Sequence, residues 1–163
     1  MTASNKKFHY TIAKILHWSV GFIIVFNLLS GWRIEEFTPE AKHVIIMVHS
    51  GIGTIVFVMM LFRWWWRKSH NLYAPPRWWK RPSMLLQVIL YPLLLIQPVI
   101  GVLQAAFIDY EVLAFGLIPY SALAADNESL HGMFLQWHGN LALLLIFLVL
   151  VHGLERTRRM LSD

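Results

Sequence analysis

The chain has 163 residues, 57% of them apolar and only 14% charged, with a mean hydropathy of +0.53. Such a composition excludes an ordinary soluble globular domain and indicates an integral membrane protein. The formal charge of +5 does not point to nucleic acid, because the basic residues lie between apolar segments, and the lack of cysteine excludes disulfides, iron–sulfur clusters and thioether-linked haem.

Residues 1–13 are polar and lead into a first predicted span, 15–32, with His17 near its start. Lys6, Lys7 and Lys14 precede it as they would a signal peptide, but the run is long, holds a histidine and meets no small-residue cleavage site, so it reads as a retained span. A short loop with Arg33, Glu35, Glu36, Pro39, Glu40 and Lys42 comes before the second span, 44–64, which has His49 near its start. Next is the most basic part of the chain. There Arg63, Arg67, Lys68, Arg77, Lys80 and Arg81 alternate with Trp64, Trp65, Trp66, Trp78 and Trp79, a mixture typical of the headgroup region. The third span, 84–106, has no histidine, carries Pro92 and Pro98, and reads as scaffold. Residues 107–136 are expected to form a long loop, with Asp109, Glu111, Asp126 and Glu128 around a partly apolar middle, acting as a lid at the membrane surface. The fourth span, 137–154, carries His138 and His152 and ends in Arg156, Arg158 and Arg159. The expected fold is an all-α integral membrane protein, one four-transmembrane-helix bundle over residues 1–163. All 14 Lys and Arg except Arg33 and Lys42 fall on the N-terminus, second loop and C-terminus, which predicts that both termini are cytoplasmic.

His138 and His152 are almost four helical turns apart, so their imidazoles leave one face roughly 40° apart and about 21 Å apart along the axis, close to the depth of the hydrocarbon core. Ionisable side chains within a span are costly, and two on one face call for two separate partners. Haem iron with axial imidazoles suits that need, since a helix bundle can hold a flat apolar macrocycle. With the termini cytoplasmic, His17 and His152 both lie toward the cytoplasm and can pair, and His49 and His138 both lie on the far side and can pair. One histidine near a helix end is ordinarily an interfacial hydrogen-bonding residue, but four at matched depths indicate ligands. Gly21 and Gly53 follow His17 and His49 by four residues and leave room for a macrocycle, although close helix packing explains them as well. A zinc or copper transport pathway is the rival, disfavoured by the absence of cysteine and the scarcity of nearby carboxylates. His9, His43, His70 and His131 lie outside the apolar cores and read as solvated or headgroup-facing. His131 in place of His138 would stretch the spacing to His152 to roughly 31 Å and put the outer iron in water. Trp18, Trp32 and Trp137 read as interface anchors, and Lys14 and Arg156 as topology signals that would also suit haem propionates.

Several short motifs together resemble the bacterial cytochrome b561 family, small di-haem cytochromes of the inner membrane related to the cytochrome b subunits of nickel–iron hydrogenases. They are Ile15-Leu16-His17-Trp18, Met47-Val48-His49 with Gly51, Arg63 with Arg67, Pro98-Val99-Ile100-Gly101, residues 114–120 (Ala-Phe-Gly-Leu-Ile-Pro-Tyr), Trp137-His138, and His152. The resemblance covers nearly the whole chain. It implies two haem b groups with bis-histidine ligation, the inner by His17 and His152 and the outer by His49 and His138. It also implies a quinone-linked oxidoreductase exchanging electrons with ubiquinone, and in some members superoxide is the electron donor. A bis-histidine iron has no open axial position and acts as an outer-sphere carrier. Arg33, Lys42 and His131 would offer an anionic donor local positive potential, opposed by Glu35, Glu36, Glu40, Asp109, Glu111, Asp126 and Glu128 on the same side. The alternative reading is a haem-bearing membrane anchor and electron-transfer subunit for a partner dehydrogenase or hydrogenase.

Overall fold

The computed structural model describes residues 3–32, 34–70 and 82–162. Four long helices account for most of them: α1 (Ala3–Gly31), α2 (Pro39–Ser69), α3 (Pro82–Ala106) and α4 (Glu128–Ser162). Each contains a stretch long and apolar enough to cross a membrane, so the all-α four-helix bundle expected from the sequence is the observed architecture. The expectations on Arg33, Arg77, Trp78, Trp79, Lys80 and Arg81 lie outside the described residues, as do those on the side chains of Lys6, Glu35, Arg156 and Arg159.

The helices run beyond the apolar stretches that announce them, because hydropathy marks the part that suits hydrocarbon and not the length of the helix. Helix α2 begins where Thr38 caps it, its Oγ1 accepting from the Ala41 N–H at 3.5 Å, with Pro39 supplying a preset φ at the first helical position. Helix α4 begins at Glu128, so the loop expected over 107–136 ends at Asn127. Asn127 caps α4 through its Oδ1, which accepts from the Leu130 N–H at 3.0 Å. Its own N–H donates to the Phe107 carbonyl at 3.0 Å and so ties the two ends of the loop together.

Between those ends, where the sequence suggested a lid, the chain is folded and attached to α2 and α3. Two short antiparallel strands, β1 (Leu113–Ala114) and β2 (Ile118–Pro119), are followed by a 3₁₀ turn, Tyr120–Ala122. The tip places Phe115 at φ 51° and Gly116 at φ 71°. Glycine tolerates this region freely, while phenylalanine is held there at a cost. Two contacts hold it: the Phe115 N–H donates to the Met47 carbonyl at 3.1 Å, and its ring lies against Gly51, where a Cβ would overlap it. Farther along, the Tyr120 hydroxyl is hydrogen-bonded to Thr54 Oγ1. Val112, Ala114 and Tyr120 are buried with Ala105 of α3, and Ile46, Val102 and Ile108 pack around them.

The centre of the bundle is a separate apolar layer built from Val20, Ile24, Val56, Met60, Leu90, Leu94 and Leu145. Large apolar side chains also cover the outside, among them Phe22 at 75% exposure and Phe147 at 61%. That inversion suits a bundle surrounded by lipid, where apolar surface has no reason to turn inward.

Gly51→Ala is expected to lower the thermal stability of the detergent-solubilised protein by about 1–3 kcal/mol, the usual cost of overpacking. Gly132→Ala, where an added methyl meets nothing within 4 Å, should leave it unchanged or raise it slightly, since alanine is the better helix former. Thermal unfolding of the two variants side by side checks both outcomes.

Candidate functional site

The four histidines of the spans come together as two pairs. His17 of α1 and His152 of α4 have ring centroids 5.9 Å apart and planes at 89°. His49 of α2 and His138 of α4 have centroids 6.1 Å apart and planes at 79°. Leu145, midway between the two α4 histidines and fully buried, belongs to the apolar layer that separates the pairs.

These spacings can be tested against a metal held between two imidazoles. Nitrogen–metal bonds of about 2 Å, with about 1 Å from each nitrogen to its ring centre, put facing centroids about 6 Å apart. Both pairs match that separation. Among the described residues no three or more His, Cys, Asp or Glu side chains converge on a common metal position, so the pairs stand as pairs.

His49 is oriented from α1. Its Nδ1 lies 3.1 Å from the Asn27 carbonyl and 3.1 Å from Ser30 Oγ. Donation of the Nδ1–H to that carbonyl leaves the Nε2 lone pair for a metal, the usual arrangement for a ligating imidazole. On another side of the ring stands Gly31, where a Cβ would come within 2.7 Å of His49 Cε1. His138 is approached in the same way from α3. A Cβ on Gly101 would sit 3.0 Å from its Cε1, and Gln97 Nε2 donates to the His138 carbonyl at 3.1 Å. The His138 Nδ1 is buried with no hydrogen-bond partner among the described residues, a polar atom suited to a bound group. Helix α3, expected to be scaffold alone, therefore shapes the site.

A cavity of about 1180 Å³ surrounds this second pair, lined by His49, His138, Gly31, Gly53, Gln97 and Gly101 and reaching outward to Lys42, Asp109, Asp126, Glu128 and His131. Small-ligand pockets rarely exceed about 1,000 Å³, so there is room here for a macrocycle. Of the two glycines singled out in the sequence, Gly21 leaves open space, with nothing within 4 Å of an added Cβ, while Gly53 is in ordinary contact with Asn27 at 3.7 Å.

The remaining histidines divide differently from the expectation. His43 is exposed as expected. His131 lies on α4, partly buried, its Nδ1 donating to the Gln104 carbonyl at 2.9 Å. His9 and His70 are not solvated singly but stack at 3.9 Å between ring centroids, with Trp66 4.3 Å from His70. Trp18, Trp32 and Trp137 are about half exposed or more, as interface anchors would be. Arg63 lies over the Tyr91 ring at 5.3 Å, a cation–π contact that helps hold a charge at the end of a span.

Sequence reasoning missed Asn27, Ser30, Gly31 and Gln97, and it named Gly101 only within the Pro98-Val99-Ile100-Gly101 motif, without a role. Gln97 had a partial signal, an amide in the middle of an apolar span that also carries Gln87 and Gln104 near its ends. Gly31 had none, and the contact of Gly101 with His138 had none either, because their partners come from other helices.

A family model described as prokaryotic cytochrome b561 matches residues 9–158, a stretch that contains both imidazole pairs. No curated protein matches the chain.

Gly31→Ala is expected to displace the His49 imidazole and lower thermal stability by about 1–3 kcal/mol. Ser30→Ala, which leaves the Asn27 carbonyl in place for Nδ1, should cost no more than about 1 kcal/mol. Comparing the two unfolding midpoints checks whether steric fit or hydrogen bonding orients the ring.

Proposed function

The chain belongs to the prokaryotic cytochrome b561 family, and on that premise we propose that it carries two haem b groups and passes electrons from a periplasmic donor to ubiquinone. A haem b electron-transfer protein of the bacterial membrane is what the family makes it. The proposal adds the number of haems, their ligands, the redox partners, the inner membrane as location and the cytoplasmic placement of both termini.

His17 and His152 would hold one haem and His49 and His138 the other. The observation that carries this reading is the pair of facing imidazoles, about 6 Å between centroids, at each end of an apolar bundle. Haem held by these imidazoles would supply one-electron transfer. The protein's own residues do the rest. The Asn27 carbonyl holds the proton of His49 at Nδ1, Gln97 fixes the backbone at His138, and the layer around Leu145 keeps water from joining the two sites. At the cavity mouth Lys42 and His131 face Asp109, Asp126 and Glu128, so an anionic donor meets both attraction and repulsion there. With superoxide as donor, two anions would each give up one electron and become dioxygen, and ubiquinone would take up both electrons with two protons.

The second reading, an anchor subunit for a partner dehydrogenase or hydrogenase, finds support in the basic end of α2, Arg67 and Lys68, where a soluble partner could dock.

A dithionite-reduced minus oxidised spectrum with a pyridine haemochrome assay is expected to give two haem b per chain. His138→Ala and His152→Ala should each halve that ratio; loss of both haems from either change, in folded protein, would overturn independent sites. Purified protein alone is expected to form ubiquinol from superoxide and ubiquinone, and its failure to do so with both haems bound would favour the anchor.

A further inference from the structure

We propose that the hairpin of residues 112–123 is inserted into one leaflet of the bilayer, its tip in contact with lipid acyl chains. The inference is independent of the haem reading and rests on three observations.

The first is depth. The apolar run of α2 begins at Val44, and the residues that receive the hairpin lie beyond it: Met47 bonds the Phe115 N–H, Gly51 underlies the Phe115 ring and Thr54 meets the Tyr120 hydroxyl. At 1.5 Å per residue these sit about 5, 10 and 15 Å into the run. The hydrocarbon core is only about 30 Å thick, so the hairpin lies within a leaflet and not above it. On its other flank it packs against Val102 and Ala105, which belong to the apolar span Met84–Ala106.

The second is the outward face. Leu117 is 80% exposed, Leu123 64%, Ile118 46% and Phe115 43%, whereas Asp109, Glu111 and Asp126 stand at the two ends of the segment. Apolar residues in the middle and carboxylates at both ends describe a segment that enters from water, meets lipid and returns.

The third is the backbone. Irregular backbone at membrane depth has to be buried in protein and have its polar groups satisfied there, and Val112, Ala114 and Tyr120 are buried against α2 and α3. Here the N–H of Phe115 reaches Met47, and those of Gly116, Leu117, Tyr120 and Leu123 reach carbonyls within the hairpin at 3.0–3.3 Å. The Val112 N–H donates to Ser121 Oγ at 3.1 Å.

The chain has no native cysteine, so single cysteines can be introduced without altering any other residue. Leu117→Cys and Leu123→Cys, spin-labelled and reconstituted in vesicles of phosphatidylethanolamine and phosphatidylglycerol, are compared with Phe147→Cys as a lipid-facing standard and Glu111→Cys as an aqueous one. Power saturation with oxygen and with a water-soluble nickel chelate reads the environment. Both hairpin positions are expected to give oxygen-to-nickel collision ratios like that at Phe147→Cys and about tenfold above that at Glu111→Cys, because a polar chelate is excluded from hydrocarbon. Ratios like that at Glu111→Cys would overturn the proposal by placing the tip in water. Inaccessibility to both reagents would also overturn it, showing the tip covered by a second copy or another protein.

Discussion

An imidazole inside a membrane span has to turn inward and find a partner, since lipid offers it no hydrogen bond. This constraint governs the bundle. Helix α4 carries a histidine toward each end of its span, and both must face the interior at once, which sets the rotation of α4 about its axis. His17 and His49 then set the rotation of α1 and α2, and each of those helices contributes to a pair with α4. The central apolar layer occupies the depth between the pairs.

Around His49 and His138 the neighbouring helices come close, so that a Cβ at Gly31 would overlap the first ring at 2.7 Å and one at Gly101 would press on the second at 3.0 Å. A ring confined by a backbone on one edge and a carbonyl at Nδ1 has little freedom to rotate, and such outer contacts tune as well as orient a metal-binding imidazole. The third helix, which has no histidine, takes part through Gln97 and Gly101.

The wall of the same cavity includes Val112 and Tyr120 from the hairpin. Phe115 is held in a left-handed conformation by α2, and its ring occupies the place where Gly51 lacks a side chain. Glycine at residue 51 is thus explained by the hairpin and not by the histidine two residues before it. A loop fastened by a backbone bond, a ring contact and a hydroxyl pair closes the α2–α3 side of the cavity as part of the fold.

Much of this was legible in the sequence, because hydrophobicity and charge act locally. Four apolar stretches specify four helices, and the depths of His17, His49, His138 and His152 follow from their positions along those stretches, so the grouping into two pairs needed no coordinates. The beginning of α4 was misplaced because a polar helical turn looks like loop to any hydropathy measure, although Asn127 followed by Glu128 was a readable cap. Tertiary structure alone decided the contacts of Gly31, Gly101 and Gln97 with the histidine sites, the stacking of His9 on His70, and the seating of the hairpin on Gly51. Each of these depends on the distance between residues far apart in the chain, and close approach leaves no periodic trace in either partner. Depth in a membrane is a property of one segment, whereas contact is a property of two.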